Sequence, residues 1–212
     1  MKQGIYETIQ KECEQYHAKL VVVSKYRSNE QLMEYYEEGQ RDFGENRVQE
    51  LVKKAEELPK DIHWHMIGHL QSNKVKYIAP FIAIIHSIHS LSLLDEVEKQ
   101  AKKNARIIPV CIQFNLAKED SKSGFQKEEW EQVMVYASKL SHIEVVGIMV
   151  MGPHVEDATA ITSVFKEANA LRNEIALRYP KVKELSMGMS HDYPLALKEN
   201  ATMIRVGCIL FD

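Results

Sequence analysis

The sequence predicts an α/β fold: a single (β/α)8 barrel of the TIM type over residues 1–212, with one extra helix ahead of the first strand. Three observations predict it. Compact apolar runs alternate with longer amphipathic stretches, about eight of each. No Pro/Gly/Ser-rich linker, low-complexity segment or short internal repeat divides them. No G-x-G-x-x-G turn follows the first apolar run, which weighs against the alternative of a doubly wound open sheet.

The elements follow in order. The opening stretch is helical, with Ile5, Ile9 and Tyr16 expected on one face. Leu20-Val21-Val22-Val23 is a compact β-branched run, as a buried parallel strand requires. Ser28-Asn29-Glu30-Gln31 has capping-box spacing and opens the next helix. A weak second strand lies around Asp42-Phe43, before a helix carrying Val48, Leu51, Val52, Ala55 and Leu58. Residues 62–67 form a third strand and 75–78 a short helix. Residues 82–85 form a fourth strand, with Leu94, Val97 and Ala101 marking the helix behind it. Strand 107–114 precedes a helix marked by Trp130, Val133, Met134, Ala137 and Leu140. Strand 143–150 precedes a long helix marked by Ala158, Ile161, Phe165, Ala168, Leu171 and Ile175. Leu185 sits in a short strand, residues 193–198 in a short helix, and 203–206 in the last strand. Little chain follows that strand, so the opening helix is expected to cover the gap in the outer ring.

Composition narrows the function. Apolar residues make up 45% and charged residues 27% of the 212, which is ordinary globular usage with enough chain to bury a core unaided. A net charge of −3 provides no broad basic field, which excludes a general nucleic-acid binder. The lysines read as solubilising groups on helix faces. Cys13, Cys111 and Cys208 are odd in number and lack C-x-x-C spacing, so neither a disulfide framework nor a cysteine zinc site is expected. The N-terminus is not a signal peptide and no apolar run reaches transmembrane length, so the expected location is cytoplasmic, without membrane contact.

In a barrel the chemistry belongs where strands end and βα loops begin. Lys25 follows the first strand and is expected at the barrel mouth. Burying a lysine ammonium is costly, and a neutral lysine amine is the nucleophile that forms Schiff bases with aldehydes. Barrels frequently bind phosphate in the loops after strands seven and eight. Here Ser186-Met187-Gly188-Met189-Ser190 offers hydroxyls, a Gly-permitted tight turn and a following helix N-terminus, and Gly207 offers close backbone approach. A reactive lysine facing a phosphate cup points to an aldehyde that carries a phosphate, and pyridoxal 5′-phosphate (PLP) is the commonest. Arg205 sharpens the point. A guanidinium only donates, so at a pyridine nitrogen it would meet an unprotonated ring and leave a weak electron sink.

These segments resemble the pyridoxal phosphate homeostasis proteins, which share the fold of the N-terminal domain of alanine racemase. The matching segments are VVVSK at 21–25, RDFGENRVQE at 41–50, WHMIGHLQSNKVK at 64–76, SKSG at 121–124, GIM at 147–149, LSMGMSHDY at 185–193 and IRVG at 204–207. The resemblance implies PLP held through Lys25. It places Asn46 beside the cofactor, Arg205 at the pyridine nitrogen, and Ser190 with the Ser186-Met187 segment and the backbone at Gly207 and Cys208 around the phosphate. Cys208 stands where relatives often have Ser or Thr, His89 where an Asp is common, and the chain ends at Leu210-Phe211-Asp212 where relatives usually continue. The resemblance further implies a role in intracellular PLP (vitamin B6) balance, with apo PLP-dependent enzymes as recipients and no established turnover.

Two other readings compete. A racemase needs an acid/base group on each face of the cofactor. In alanine racemases a tyrosine of a separate C-terminal domain serves the second face. This sequence ends with the barrel, and Tyr26, Tyr35 and Tyr36 read as packing residues, so a monomeric carrier is expected. A metal site among His63, His65, His69, His86 and His89 lacks an H-E-x-x-H or carboxylate pattern, and none is expected. His65 is expected instead to pack near the cofactor.

Overall fold

The computed structural model describes residues 1–117 and 123–212. Helix α1 (Gln3–Gln15) leads into β1 (Lys19–Val23), α2 (Asn29–Glu37), β2 (Asp42–Glu45), α3 (Val48–Glu57), β3 (His63–Met66), α4 (Val75–Ile78), β4 (Ile84–Ile88) and α5 (Leu91–Lys103). The second half comprises β5 (Ile108–Phe114), α6 (Trp130–Ala137), β6 (Ile143–Val150), α7 (Ala158–Arg178), β7 (Glu184–Ser186), α8 (Tyr193–Lys198), β8 (Met203–Val206) and α9 (Cys208–Phe211). The strands close in chain order into a barrel, each parallel to both neighbours, with β1 pairing β8 through Val21–Arg205 and Val22–Val206. This is the expected (β/α)8 architecture. Part of the SKSG segment lies in 118–122, outside the described residues.

Local chemistry places the helices. Ser28 forms a capping box with Gln31, as its spacing predicts. Ser90 and Asp157 cap α5 and α7 by accepting from Leu93 N–H and Thr159 N–H. The main core lies between the strands and the helix ring. Strand β4 begins two residues later than expected, because Ile82 N–H still closes back on Ile78 O at 2.9 Å.

Helix α1 does cover the β1/β8 side, but with a different face from the one expected. Tyr6, Ile9 and Cys13 are buried, whereas Ile5 and Tyr16 are exposed. The i, i+3, i+7 spacing of the buried set is a proper helical stripe. Tyr6 meets the Tyr35 ring edge-on at 5.1 Å, and Tyr35 meets Phe211 at 5.0 Å. The Tyr35 hydroxyl donates to Leu210 O at 2.5 Å. The short helix α9, which no periodicity announced, is thereby packed with α1 and α2.

Inward-facing side chains alternate with core-facing ones along the strands. Val21, Ile84, Cys111, Met149 and Met203 make a separate apolar cluster within the barrel. Beside it run polar groups, described below. Gly147 lets two strands approach: a Cβ there would lie 2.2 Å from Glu184 O. Gly147→Ala is therefore expected to lower stability by about 1–3 kcal/mol, read as a lower urea midpoint. An unchanged midpoint would show that the pair can spread at no cost.

Among the described residues no helix is long and apolar enough to cross a membrane.

Candidate functional site

Lys25 lies in the turn that carries β1 into α2, at the C-terminal end of the barrel. It is half-buried, and its ammonium makes no hydrogen bond or ion pair with any described residue. The next residue, Tyr26, adopts φ 62°, a left-handed conformation uncommon for a side chain of its size. Arg47 stacks over the Tyr26 ring at 5.3 Å.

The backbone just before Lys25 is held from behind. Lys54 Nζ donates to Ser24 O at 2.7 Å and to Glu45 Oε1 at 2.5 Å, and the Ser24 hydroxyl donates to the same Glu45 oxygen at 2.7 Å. Glu45 is fully buried and Lys54 nearly so. Burial pushes the Glu45 carboxyl above its ordinary range, against the pull of Lys54 and Ser24. The solubilising role read for the lysines fails at Lys54. Its position on α3 faces the strand ends, and only a buried carboxylate makes that tolerable.

Beside Glu45, the Asn46 side chain keeps Oδ1 buried without a hydrogen-bond partner among the described residues. That is an acceptor positioned at the barrel mouth with nothing yet to bind it.

Arg205 is the last residue but one of β8 and is 4% exposed. Nη1 donates to Ser186 Oγ at 2.6 Å and Nη2 to Val150 O at 3.1 Å. A guanidinium has five N–H groups, and these bonds use two. Burial lowers its pKa to about 10, which leaves it a cation at neutral pH.

The loops after β7 and β8 meet as expected. Gly188 takes φ 89°, which favours glycine, and Ser190 Oγ accepts from Gly207 N–H at 3.2 Å. Met189 N–H donates to the buried Asp192 carboxylate at 2.6 Å. Cys208 is exposed and opens α9, so its N–H has no carbonyl of that helix to bond. An open cleft adjoins Ser190, lined by Met151, Gly152, Met189, His191 and Asp192.

Two expected phosphate groups lie elsewhere. The Ser186 hydroxyl is buried between Arg205 and His86, and the Met187 side chain is buried in the core with its N–H donated to Met203 O at 3.1 Å. Strand β7 runs through Ser186, and this turns that side chain into the barrel. Ser186 therefore bears on the mouth through Arg205.

His65 is likewise interior, 2% exposed, and bonded to Asp42 and His86. His63 and His65 do share a face, as their spacing predicts, and both reach Asp42 Oδ1, at 3.4 and 3.0 Å. Among the described residues, no group of three or more His, Cys, Asp or Glu side chains could hold a metal ion. Tyr35 and Tyr36 are engaged in the helix ring, Tyr36 through Asp61 at 2.8 Å and an Arg41 stack at 3.8 Å.

The parallel barrel thus carries a half-buried lysine beyond its first strand, a buried arginine on its last and a polar pocket where its final loops meet. The chain belongs to the alanine racemase N-terminal domain family, whose model matches residues 6–212. It is 39% identical to the pyridoxal phosphate homeostasis protein of Aquifex aeolicus, over 98% of this chain and 94% of that protein. The structure of PipY from Synechococcus elongatus with PLP bound matches with a TM-score of 0.85 and 36% identity, over 92% of this chain and 93% of that one. An alanine racemase of Clostridium difficile shares the fold at 14% identity and a TM-score of 0.76, with this chain spanning 54% of it.

Proposed function

We propose that this chain is a PLP-binding protein of intracellular vitamin B6 homeostasis, which holds the cofactor on Lys25 and releases it to recipients without turnover of its own. The observation that carries this is Lys25: an amine at the mouth of the barrel, half-buried and without a partner among the described residues. When bound, PLP supplies an aldehyde carbon that a neutral amine can bond with loss of water.

The surrounding groups fit that molecule. Arg205 presents N–H donors to an unprotonated ring nitrogen. Ser190 and the backbone N–H of Cys208 receive the phosphate, and the Gly207 N–H exchanges its bond to Ser190 Oγ for a phosphate oxygen. Asn46 Oδ1 accepts a hydrogen bond from the ring substituents or from the lysine nitrogen. Lys54 and Glu45 hold the backbone at Ser24, so Lys25 projects in one direction. His65 and Ser186 form the floor behind these contacts, and Met187 supports the loop from the outer core.

Residues 1–212 act as one domain and as a monomer in the cytoplasm, with apo PLP-dependent enzymes as recipients. The racemase alternative has less support: Tyr35 and Tyr36 are bonded within the helix ring, and Tyr26 is 65% exposed.

The test is to add PLP to the purified protein, reduce with borohydride and map the modified peptide by mass spectrometry. A phosphopyridoxyl group on Lys25 is expected. Label spread over surface lysines would overturn the site. Absence of turnover is checked separately, by α-proton exchange of amino acids in heavy water. Stereospecific exchange at an enzyme-like rate would reinstate the racemase.

A further inference from the structure

Five side chains from five strands form one continuous line of hydrogen bonds through the barrel. Arg205 Nη1 lies 2.6 Å from Ser186 Oγ, and Ser186 Oγ lies 2.7 Å from His86 Nδ1. His86 Nε2 lies 2.9 Å from His65 Nδ1, and His65 Nε2 lies 3.0 Å from Asp42 Oδ1. The line starts at the mouth-side cation and ends on β2, where Asp42 is the first residue of its strand.

Counting protons gives the line a direction. Arg205 can only donate, so Ser186 accepts from it and keeps its own hydrogen available for His86 Nδ1, the direction that the Asp42 end requires. His86 then carries its proton on Nε2 and donates to His65 Nδ1. His65 carries its proton on Nε2 and donates to Asp42. An ionised Asp42 can only accept, so the far end demands the same direction. Both histidines are thereby fixed as neutral Nε2–H tautomers.

The groups facing each member agree. His65 faces Asp42 from β2, Lys19 from β1, His86 from β4 and His63 on its own strand. His86 faces His65, Ser186, Arg205 and Lys19. Arg205 faces Ser186, Asp192 and Cys111. Burial lowers the pKa of both histidines, His86 well below its ordinary value, so neither charges at neutral pH. Burial opposes the Asp42 charge, but the hydrogen bond to His65 and the nearby cations hold that carboxyl below its ordinary value.

We infer that Asp42, His65, His86 and Ser186 are positioning residues for Arg205, anchoring its guanidinium in one orientation so that its remaining N–H groups face the cofactor ring as donors. This rests on the reading of Arg205 as the ring-nitrogen partner. Breaking the line at Ser186 leaves Arg205 held by Val150 O alone. Breaking it at Asp42 removes the acceptor that sets the direction.

Two measurements test the inference. The first needs no cofactor: long-range proton–nitrogen correlation of the 15N-labelled protein between pH 7 and 8 reports each imidazole tautomer. Nε2–H is expected for both His65 and His86, and an Nδ1–H form or an imidazolium at either would overturn the line. The second is a double-mutant cycle on PLP dissociation, followed by absorbance. Ser186→Ala is expected to weaken PLP about tenfold, the scale of one lost hydrogen bond to a charged group. Asp42→Ala, which removes the acceptor, is expected to weaken it about fivefold alone and not at all in the Ser186→Ala background. Additive losses, or no loss with Asp42→Ala, would show that the two ends are not coupled through Ser186. If the wild type itself gains no label on Lys25, the PLP reading fails, and the tautomers still report on the line.

Discussion

Lys25→Ala is expected to abolish the borohydride-stable phosphopyridoxyl label and to weaken PLP binding by about a hundredfold, or ~2.7 kcal/mol. On the proposed reading, residual binding is expected from the contacts the substitution leaves alone: Arg205, Ser190 and the backbone at Gly207 and Cys208. No described neighbour can replace the amine. Lys54 is committed to Glu45 and Ser24 O, and Lys19 sits at the start of β1, 3.5 Å from Asp42. The loss will not reflect unfolding. Lys25 has no partner among the described residues, so truncating it is expected to change stability by about 1 kcal/mol or less. Lys25→Arg is the sharper control. It keeps the charge and length, but a guanidinium stays protonated and forms no such bond. Thermal midpoints with and without PLP, measured beside the label, check both statements. Retention of the label in either variant would move the attachment site elsewhere.

Much of the fold was legible because a parallel barrel repeats one pattern. Strands β1, β4, β5, β6 and β8 carry β-branched residues and the longer helices each carry an apolar stripe, so the order of most elements follows from periodicity. The mouth was legible for the same reason: a lysine after a strand and glycine-rich loops after the last two stand in known places of such a barrel. What stayed hidden depends on which side of a strand faces inward and on partners far apart in the chain. Ser186 read as a phosphate hydroxyl because its loop looked like a cup, but alternation along β7 turns it inward. His65 and His86 carry no spacing signal linking them, since the register that brings β3 beside β4 is set by packing and not by the 21-residue separation of the two histidines. The α1 face was misread because Ile5 and Tyr16 are apolar yet exposed, while the half-polar Tyr6 packs against Tyr35. Lys54 looked like any helix-surface lysine. Its one sequence signal is its place on the buried side of α3, beside Leu51 and Leu58, where an unpaired charge would not be tolerated.

That pair gives the largest expected effect on stability. Lys54→Met is expected to destabilise the protein by about 3–5 kcal/mol at pH 7, because it leaves the Glu45 carboxylate buried without its cation. Methionine keeps the length and apolar stem of lysine, so the loss isolates charge and hydrogen bonding from packing. Glu45 Oε2 already lacks a partner among the described residues, which leaves little to compensate the vanished ammonium. The pH dependence follows from the direction of the Glu45 shift. Its carboxyl is raised in the folded state even with Lys54 present, and removal of the cation raises it further. A group raised on folding favours the folded state most below its unfolded value, and that advantage fades as pH rises through the folded value. The deficit of Lys54→Met is therefore expected to be smaller at pH 5 than at pH 7, because lower pH favours the neutral, protonated form of the buried Glu45 carboxyl. Urea midpoints at the two pH values measure it, and an equal deficit at both would mean that packing, not the stranded carboxylate, carries the effect. Adding Glu45→Gln removes the charge while leaving an amide to meet the Ser24 hydroxyl, and is expected to recover most of the loss. It does not restore the Lys54 anchor on Ser24 O. The double variant should therefore fold like the wild type while holding PLP on Lys25 less tightly, separating the stability of the strand ends from the aim of the lysine.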